Sequence, residues 1–409
     1  MRNKTLLAIV FAITAVSILA VSNQQKSLAG IRDVPTNLKV VNPLVIPKPP
    51  ISVRPKIELV FALDTTGSMS GLINAAKEKI WSIASTMAAA QPTPEISIGL
   101  VAYRDRGDAY ITKRIELSQD LDTVYSELLQ LKAAGGGDGP ESVNAALFDA
   151  VHSMNWSQDP NSYKVIFLVG DAPGHNDYQD DVPFVKTLAQ AAKNGIIVNT
   201  IQAGQNPDMV KAWDKIATLG QGDTFQVGHG GSAIAIKTPF DDAIVAASKN
   251  YENTRVYYGK AEEQRVQLEK NNVVGARMKR SASTSSMARR AKFNASKGGE
   301  TNFAAGKELL QAMENDELVL ADIPESELPI EMREMEMEQK KAFVAAKSKQ
   351  RKDSKKKLKA LSEKRYAYIK SELGKNKHSK DSLDKKLYAT IKRQAEKKGL
   401  DYSEAEDSY

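Results

Sequence analysis

The sequence predicts an α/β fold: a doubly wound, mainly parallel sheet with helices on both faces, followed by a helical basic C-terminal tail. Three observations predict it. Short apolar runs recur between residues 57 and 227. Between them lie segments whose apolar residues fall at steps of three and four, as on one face of a helix. The connections are short, which suits strand–helix–strand crossovers.

Ile57 to Leu63 is a nearly continuous apolar run, as in a strand buried on both faces. Ile73, Ala76, Ile80, Ile83 and Met87 then mark one face of a helix. Ile96 to Ala102 is a second strand, and Ile111 to Leu117 a third, at an edge. Leu121 to Leu131 is helical, and Val143, Leu147, Ala150, Val151 and Met154 mark another helix. Val165 to Val169 is a buried strand. Pro183 opens a helix that Gly195 closes. Ile196 to Ile201 is a strand, and Val210, Trp213, Ile216 and Leu219 face inward from a helix. A short strand at Phe225 and a helix from Phe240 to Tyr258 complete the series.

The flanks differ. Arg2 and Lys4 precede an apolar run from Leu6 to Val21, and a polar stretch ends Ser27-Leu28-Ala29-Gly30. That order is expected of a secretory signal over residues 1–29, cut after Ala29, with the bacterial periplasm or cell exterior as destination. An uncleaved membrane anchor is the alternative reading of the same run. Residues 30–55 hold six prolines and read as an extended linker. Residues 56–259 are the α/β domain. Residues 260–303 read as a flexible linker, since Ser, Ala, Gly, Asn and Arg dominate the later part without an apolar period. Residues 304–409 read as a charged, largely helical region with little core of its own.

The net charge of +7 is unevenly placed. Residues 260–409 hold 34 Lys and Arg against 25 Asp and Glu, and residues 340–398 hold 22 against 6. An anionic partner is therefore expected only of the C-terminal part. Export favours an anionic envelope polymer or lipid there over nucleic acid. The absence of cysteine excludes disulfides, thiolate metal sites and cysteine nucleophiles.

In open parallel sheets, ligands bind beyond the carboxyl ends of the strands, where the strand order reverses. The loop after the first strand is Asp64-Thr65-Thr66-Gly67-Ser68-Met69-Ser70. One carboxylate and two hydroxyls, two residues apart, are hard oxygen ligands for Mg²⁺, Mn²⁺ or Ca²⁺. The strand ending at Val169 delivers Asp171 to the same rim, and Gly135-Gly-Gly-Asp138-Gly-Pro-Glu141 brings two further acids before a helix. Thr66 and Ser68 could instead cap the helix that follows.

Asp64-x-Thr66-x-Ser68, the acidic loop and Asp171 together resemble the metal-ion-dependent adhesion site of von Willebrand factor A domains, over roughly residues 56–259. The resemblance implies that the Thr66 and Ser68 hydroxyls bind the metal, Mg²⁺ by preference, with Asp64 and Asp171 acting directly or through water. Many members add a threonine from the third loop, which this sequence lacks. Asp138-Gly-Pro-Glu141 instead resembles the Asp-x-Pro-Glu loop of the A-like domain in integrin β subunits, which implies a metal role for Glu141 and, less directly, Asp138. The same phrase is similar to A-like domains beside atypical α-kinases, but nothing after residue 260 reads as a kinase, so no such activity is expected. The family implies an acidic protein ligand whose carboxylate completes the coordination. The expected function is thus an exported, metal-dependent adhesion or assembly module and not an enzyme. The alternatives are an envelope structural protein that binds through its tail, the metal being structural, and a hydrolase with Glu141 as base.

Asp105 and His175 are further candidates for the metal or ligand rim. Asp108, Asp177, Asp180 and Asp181 read as solvated loop acids. No His-Glu-x-x-His, Gly-x-Ser-x-Gly elbow or Gly-Lys-Ser/Thr phosphate loop occurs. The tripeptide Arg106-Gly107-Asp108, which integrins recognise, is too short to carry weight.

Overall fold

A computed structural model describes residues 54–375 and 383–403, apart from residues 138, 205 and 229–235. The expected signal segment, nearly all of the proline-rich stretch and Asp138 lie outside the described residues.

Six strands form one sheet in the order β3-β2-β1-β4-β5-β6. They are β1 (Lys56–Asp64), β2 (Glu95–Tyr103), β3 (Thr112–Ser118), β4 (Tyr163–Gly170), β5 (Ile196–Ala203) and β6 (Gln221–Val227). All neighbours are parallel except β2 and β3, so the expected edge strand is the antiparallel one. The strand order reverses between β1 and β4, which places the crevice at the carboxyl ends of these two central strands.

Alternation along each strand sends side chains to two cores. Ile57, Leu59 and Leu63 of β1 join α1 (Ser70–Ala88) and α2 (Leu121–Gln130) on one face. Val60 and Ala62 join α3 (Val143–Phe148), α4 (Phe184–Lys193) and α5 (Pro207–Leu219) on the other. The helix expected to run on to Met154 ends in a π turn at Asp149–Ser153. The last helix of the series, α6 (Asp241–Glu252), stops short of the expected Tyr258, and Tyr257 bridges to Glu308 instead.

Gly170, the last residue of β4, sits where chains approach closely. A Cβ there would stand 2.5 Å from the Tyr103 hydroxyl and 2.9 Å from the Trp213 ring. Overpacking of this kind costs about 1–3 kcal/mol. Gly170→Ala is expected to lower the thermal midpoint by several degrees; an unchanged melting curve would show that the contact gives way freely.

The region after residue 260 corrects two expectations. Residues 260–303 are not a flexible linker: they form α7 (Ala261–Ser281), α8 (Thr284–Ala295) and the start of the short α9 (Glu300–Ala304). Met278 and Phe293 enter the first core. α8 was illegible as a helix because it buries polar groups in pairs. Arg290 holds Asp122 of α2 with both arms and also reaches Glu252 of α6. Nor is the tail without a core. After α10 (Leu309–Glu314), the 39-residue α11 (Met337–Lys375) packs Leu358 against α6 and α8. Arg351 clasps Glu308 through two bonds of 2.9 and 2.7 Å, and Arg365 donates to Asp241 at 2.9 Å. α12 (Leu383–Glu396) then returns to the sheet, putting Leu387, Ile391 and Ala395 into the first core. Gln91 pairs with Asp401 as an antiparallel bridge.

Among the described residues no helix is long and apolar enough to cross a membrane.

Candidate metal centre

β1 ends on Asp64, in register with Tyr103 of β2, and Asp171 follows the end of β4. The crevice at the reversal therefore receives a carboxylate from each side. Asp64 is fully buried. Its Oδ1 accepts from the Thr66 backbone N–H at 2.8 Å and from the Thr66 hydroxyl at 2.7 Å. Its Oδ2 is buried without a hydrogen-bond partner. Burial pushes the Asp64 carboxyl up to about 7; the Thr66 hydrogen bonds oppose this and the Asp171 charge adds to it.

Glu141 is 4% exposed, and its Oε2 is likewise buried without a partner. Burial first, then the charges of Asp64 and Asp105, push it up to about 8. Its backbone is pinned on both sides: its N–H donates to Pro173 O at 2.9 Å, and its carbonyl accepts from His175 N–H at 3.0 Å. That pairing ties the acidic loop to the segment after Asp171. Thr66 and Ser68 do not cap the following helix. Neither the 3₁₀ turn Gly67–Met69 nor α1 has a side-chain cap bond at its start. Ser68 is exposed on the rim, while Thr66 is turned inward to Asp64.

The glycine-rich loop closes over this group. Gly135 and Gly136 have φ of +80° and +84°, the left-handed region that favours glycine. Gly67 N–H donates to Gly135 O at 3.1 Å, and a Cβ on Gly136 would stand 3.4 Å from Thr66 Cβ and 3.6 Å from Glu141 Oε1.

The remaining rim candidates are committed elsewhere. Asp105 is buried and accepts from the Ser142 hydroxyl at 2.9 Å and the Tyr178 hydroxyl at 2.9 Å, with His175 Nε2 at 3.5 Å from Oδ2. His175 Nδ1 lies 2.8 Å from Asp177, and its ring stacks on Tyr178. Asp105 and His175 thus brace the loops behind Glu141. Asp108 accepts from Gly136 N–H at 3.1 Å, so the Arg106-Gly107-Asp108 tripeptide does not present its acid outward. Arg106 is paired with Asp180 and Asp181.

Sequence reading missed Arg104 and Tyr103. Arg104 donates to Thr65 O at 3.2 Å and Lys132 O at 2.9 Å, holding the first loop to the segment before the glycines. The Tyr103 hydroxyl donates to Val169 O at 3.2 Å, joining β2 to β4 beneath the crevice. A cation directly after a buried strand was the available signal for Arg104.

Among the described residues, no three His, Cys, Asp or Glu side chains stand together as a metal cluster. Ion binding here would rest on carboxylates and hydroxyls together. The two orphaned, buried carboxylate oxygens fit such an ion, because an isolated buried carboxylate is costly without a cation or donor.

The fold and the rim define an open α/β domain with a candidate ligand site at the strand reversal. Residues 58–228 match the family model of the von Willebrand factor A domain, and that segment is a domain of this class. Alpha-protein kinase vwkA of Dictyostelium discoideum is 30% identical over 120 residues, 29% of this chain and 19% of that protein. The von Willebrand factor A domain-containing protein 7 of Rattus norvegicus is 35% identical over 97 residues, 24% of this chain and 10% of that protein. The matched part thus spans a fifth or less of these relatives. The crystal structure of the SpRpn10 VWA domain is similar at 14% identity and a TM-score of 0.33, covering 43% of this chain and 89% of that one.

Proposed function

We propose that this domain is an exported, metal-dependent protein-binding module and not an enzyme. Asp64, Thr66, Ser68, Glu141 and Asp171 would hold a divalent cation, Mg²⁺ by preference, with Mn²⁺ or Ca²⁺ as alternatives. The cation would supply an incompletely neutralised positive centre that an acidic side chain of a partner protein completes. The observation that carries the reading is the pair of buried, unpartnered oxygens, Asp64 Oδ2 and Glu141 Oε2, beside hydroxyls that cap no helix. Thr66 orients Asp64, and the glycine loop excludes water from Glu141 while Ser68 stays open to a ligand. Export rests on the charged, apolar, small-residue order of the N-terminus.

Calorimetric titration of the full chain with Mg²⁺, Mn²⁺ and Ca²⁺, beside Asp64→Ala and Ser68→Ala, tests it. Saturable binding is expected in the wild type and is expected to vanish in Asp64→Ala and weaken about tenfold or more in Ser68→Ala. Wild-type protein that binds none of the three ions, or variants that bind like wild type, would overturn the reading.

A further inference from the structure

α8 and α11 do not close against each other along their whole length. Between them lies a groove of about 690 Å³ whose walls carry Lys292, Lys352, Lys355, Lys356 and Lys359. Lys352, Lys356 and Lys359 follow the three- and four-residue steps of one helix face. All three are exposed, and among the described residues none has a carboxylate partner. Lys355 is paired with Glu300 at 3.2 Å. Glu363 is the one acid among the described lining residues.

The groove is not a plain charged surface. Ala295 and Tyr366 give it apolar wall between the cations. Ser362 lines it at 8% exposure, and its Oγ has no hydrogen-bond partner. Three cations in a row, an apolar wall and an unused hydroxyl suit a strand with regular negative charges and hydroxyl-bearing rings. A slot between two helices admits a strand; a bilayer surface is flat. A single-stranded nucleic acid would need aromatic faces for its bases, and Tyr366, the one aromatic side chain among the described lining residues, has the Lys292 ammonium 5.7 Å over its ring.

We propose that this groove binds a linear anionic polysaccharide, with its carboxylate or sulfate groups on Lys352, Lys356 and Lys359 and its sugar rings against Ala295 and Tyr366. The site is separate from the metal rim and independent of the reading given to that rim.

The test is fluorescence anisotropy of the full chain with a labelled heparin decasaccharide as probe. The triple variant Lys352→Gln, Lys356→Gln, Lys359→Gln is compared with Lys260→Gln, Lys364→Gln, Lys397→Gln, which loses the same charge elsewhere. Binding about tenfold weaker in the groove variant, within about twofold of wild type in the control, and unchanged by EDTA is expected. Equal weakening of both variants would overturn the proposal, because diffuse charge would then be the cause. So would stronger competition by phosphatidylglycerol vesicles or oligothymidylate than by unlabelled decasaccharide.

Discussion

A chain ending at residue 382 is expected to lose cooperative folding, although everything it lacks lies beyond the canonical strand–helix series. Leu387, Ile391, Ala395, Leu400 and Tyr402 are all buried in the core that covers one face of the sheet. Exposing or vacating the space of each large aliphatic side chain costs roughly 2–5 kcal/mol. Polar groups add to this. Gln394 exchanges two hydrogen bonds with Asn199, at 2.9 and 3.3 Å, and accepts from Tyr163 at 2.8 Å. Asn199 is fully buried in the middle of β5, so its amide would be left without that partner at about 1–3 kcal/mol. On β6, Asp223 would lose both Thr390 and Arg393. These losses together match the whole stability of an ordinary domain, about 5–15 kcal/mol. The truncated chain should therefore bind 1-anilinonaphthalene-8-sulfonate and melt without a sharp transition. A midpoint within a few degrees of the full chain would show that α12 only rests on the sheet. By the same argument residues 56–259 alone are expected not to form a stable unit, which is why metal binding is to be measured on the full chain.

The sheet was legible because its inner strands are buried on both faces. β1, β4 and β5 need apolar residues at most positions, and that leaves a strong signal at Ile57–Leu63, Val165–Val169 and Ile196–Ile201, interrupted only by Glu58 in the first and by Asn199 and Thr200 in the last. The candidate site was legible in part for the same reason, since Asp64 and Asp171 stand where such runs stop. The cover from α8 onward was not. α8 buries Ser285, Ser286, Arg289, Arg290 and Asn294, and α11 buries Arg351 and Arg365. Burial satisfied by ion pairs and hydrogen bonds carries no hydrophobic period, so composition suggested a linker and a solvated tail. α7 misled differently, because only Gln264 and Met278 of its 21 residues are buried. The bracing of the site was hidden for a third reason. Asp105 and His175 look like rim ligands in sequence and Asp108 like a solvated loop acid, and only the fold shows that Ser142 and Tyr178 engage Asp105 and that the Gly136 amide engages Asp108.

Asp64→Asn is expected to strengthen the metal-free chain while abolishing its affinity for divalent ions. The sign follows from the two raised carboxyls. Asp64 and Glu141 hold their protons in the folded chain up to about 7 and about 8, whereas the unfolded chain releases them near 3.8 and 4.5. Between those limits the folded state binds more protons, so the stability of the metal-free chain falls as pH rises through the window. Above it the penalty is complete, on the order of 4 kcal/mol for a shift of about three units on Asp64. Asparagine keeps the acceptor that Thr66 uses and cannot ionise beside Asp171 and Glu141. In EDTA at about pH 8 the variant should therefore melt several degrees above wild type, and at about pH 4 the two should converge. Mg²⁺ should reverse the order, raising the wild-type midpoint and leaving the variant unmoved. Its affinity for wild type should climb between about pH 6 and pH 8, because the ion displaces the protons that burial retains. A variant that is less stable than wild type in EDTA at pH 8 would mean that Asp64 is not the buried, strained charge its surroundings indicate. Equal stabilisation of both proteins by Mg²⁺ would place the ion somewhere else on the chain. The two arms fail separately, so the electrostatics of the crevice and its occupation by metal are decided by one set of melting curves.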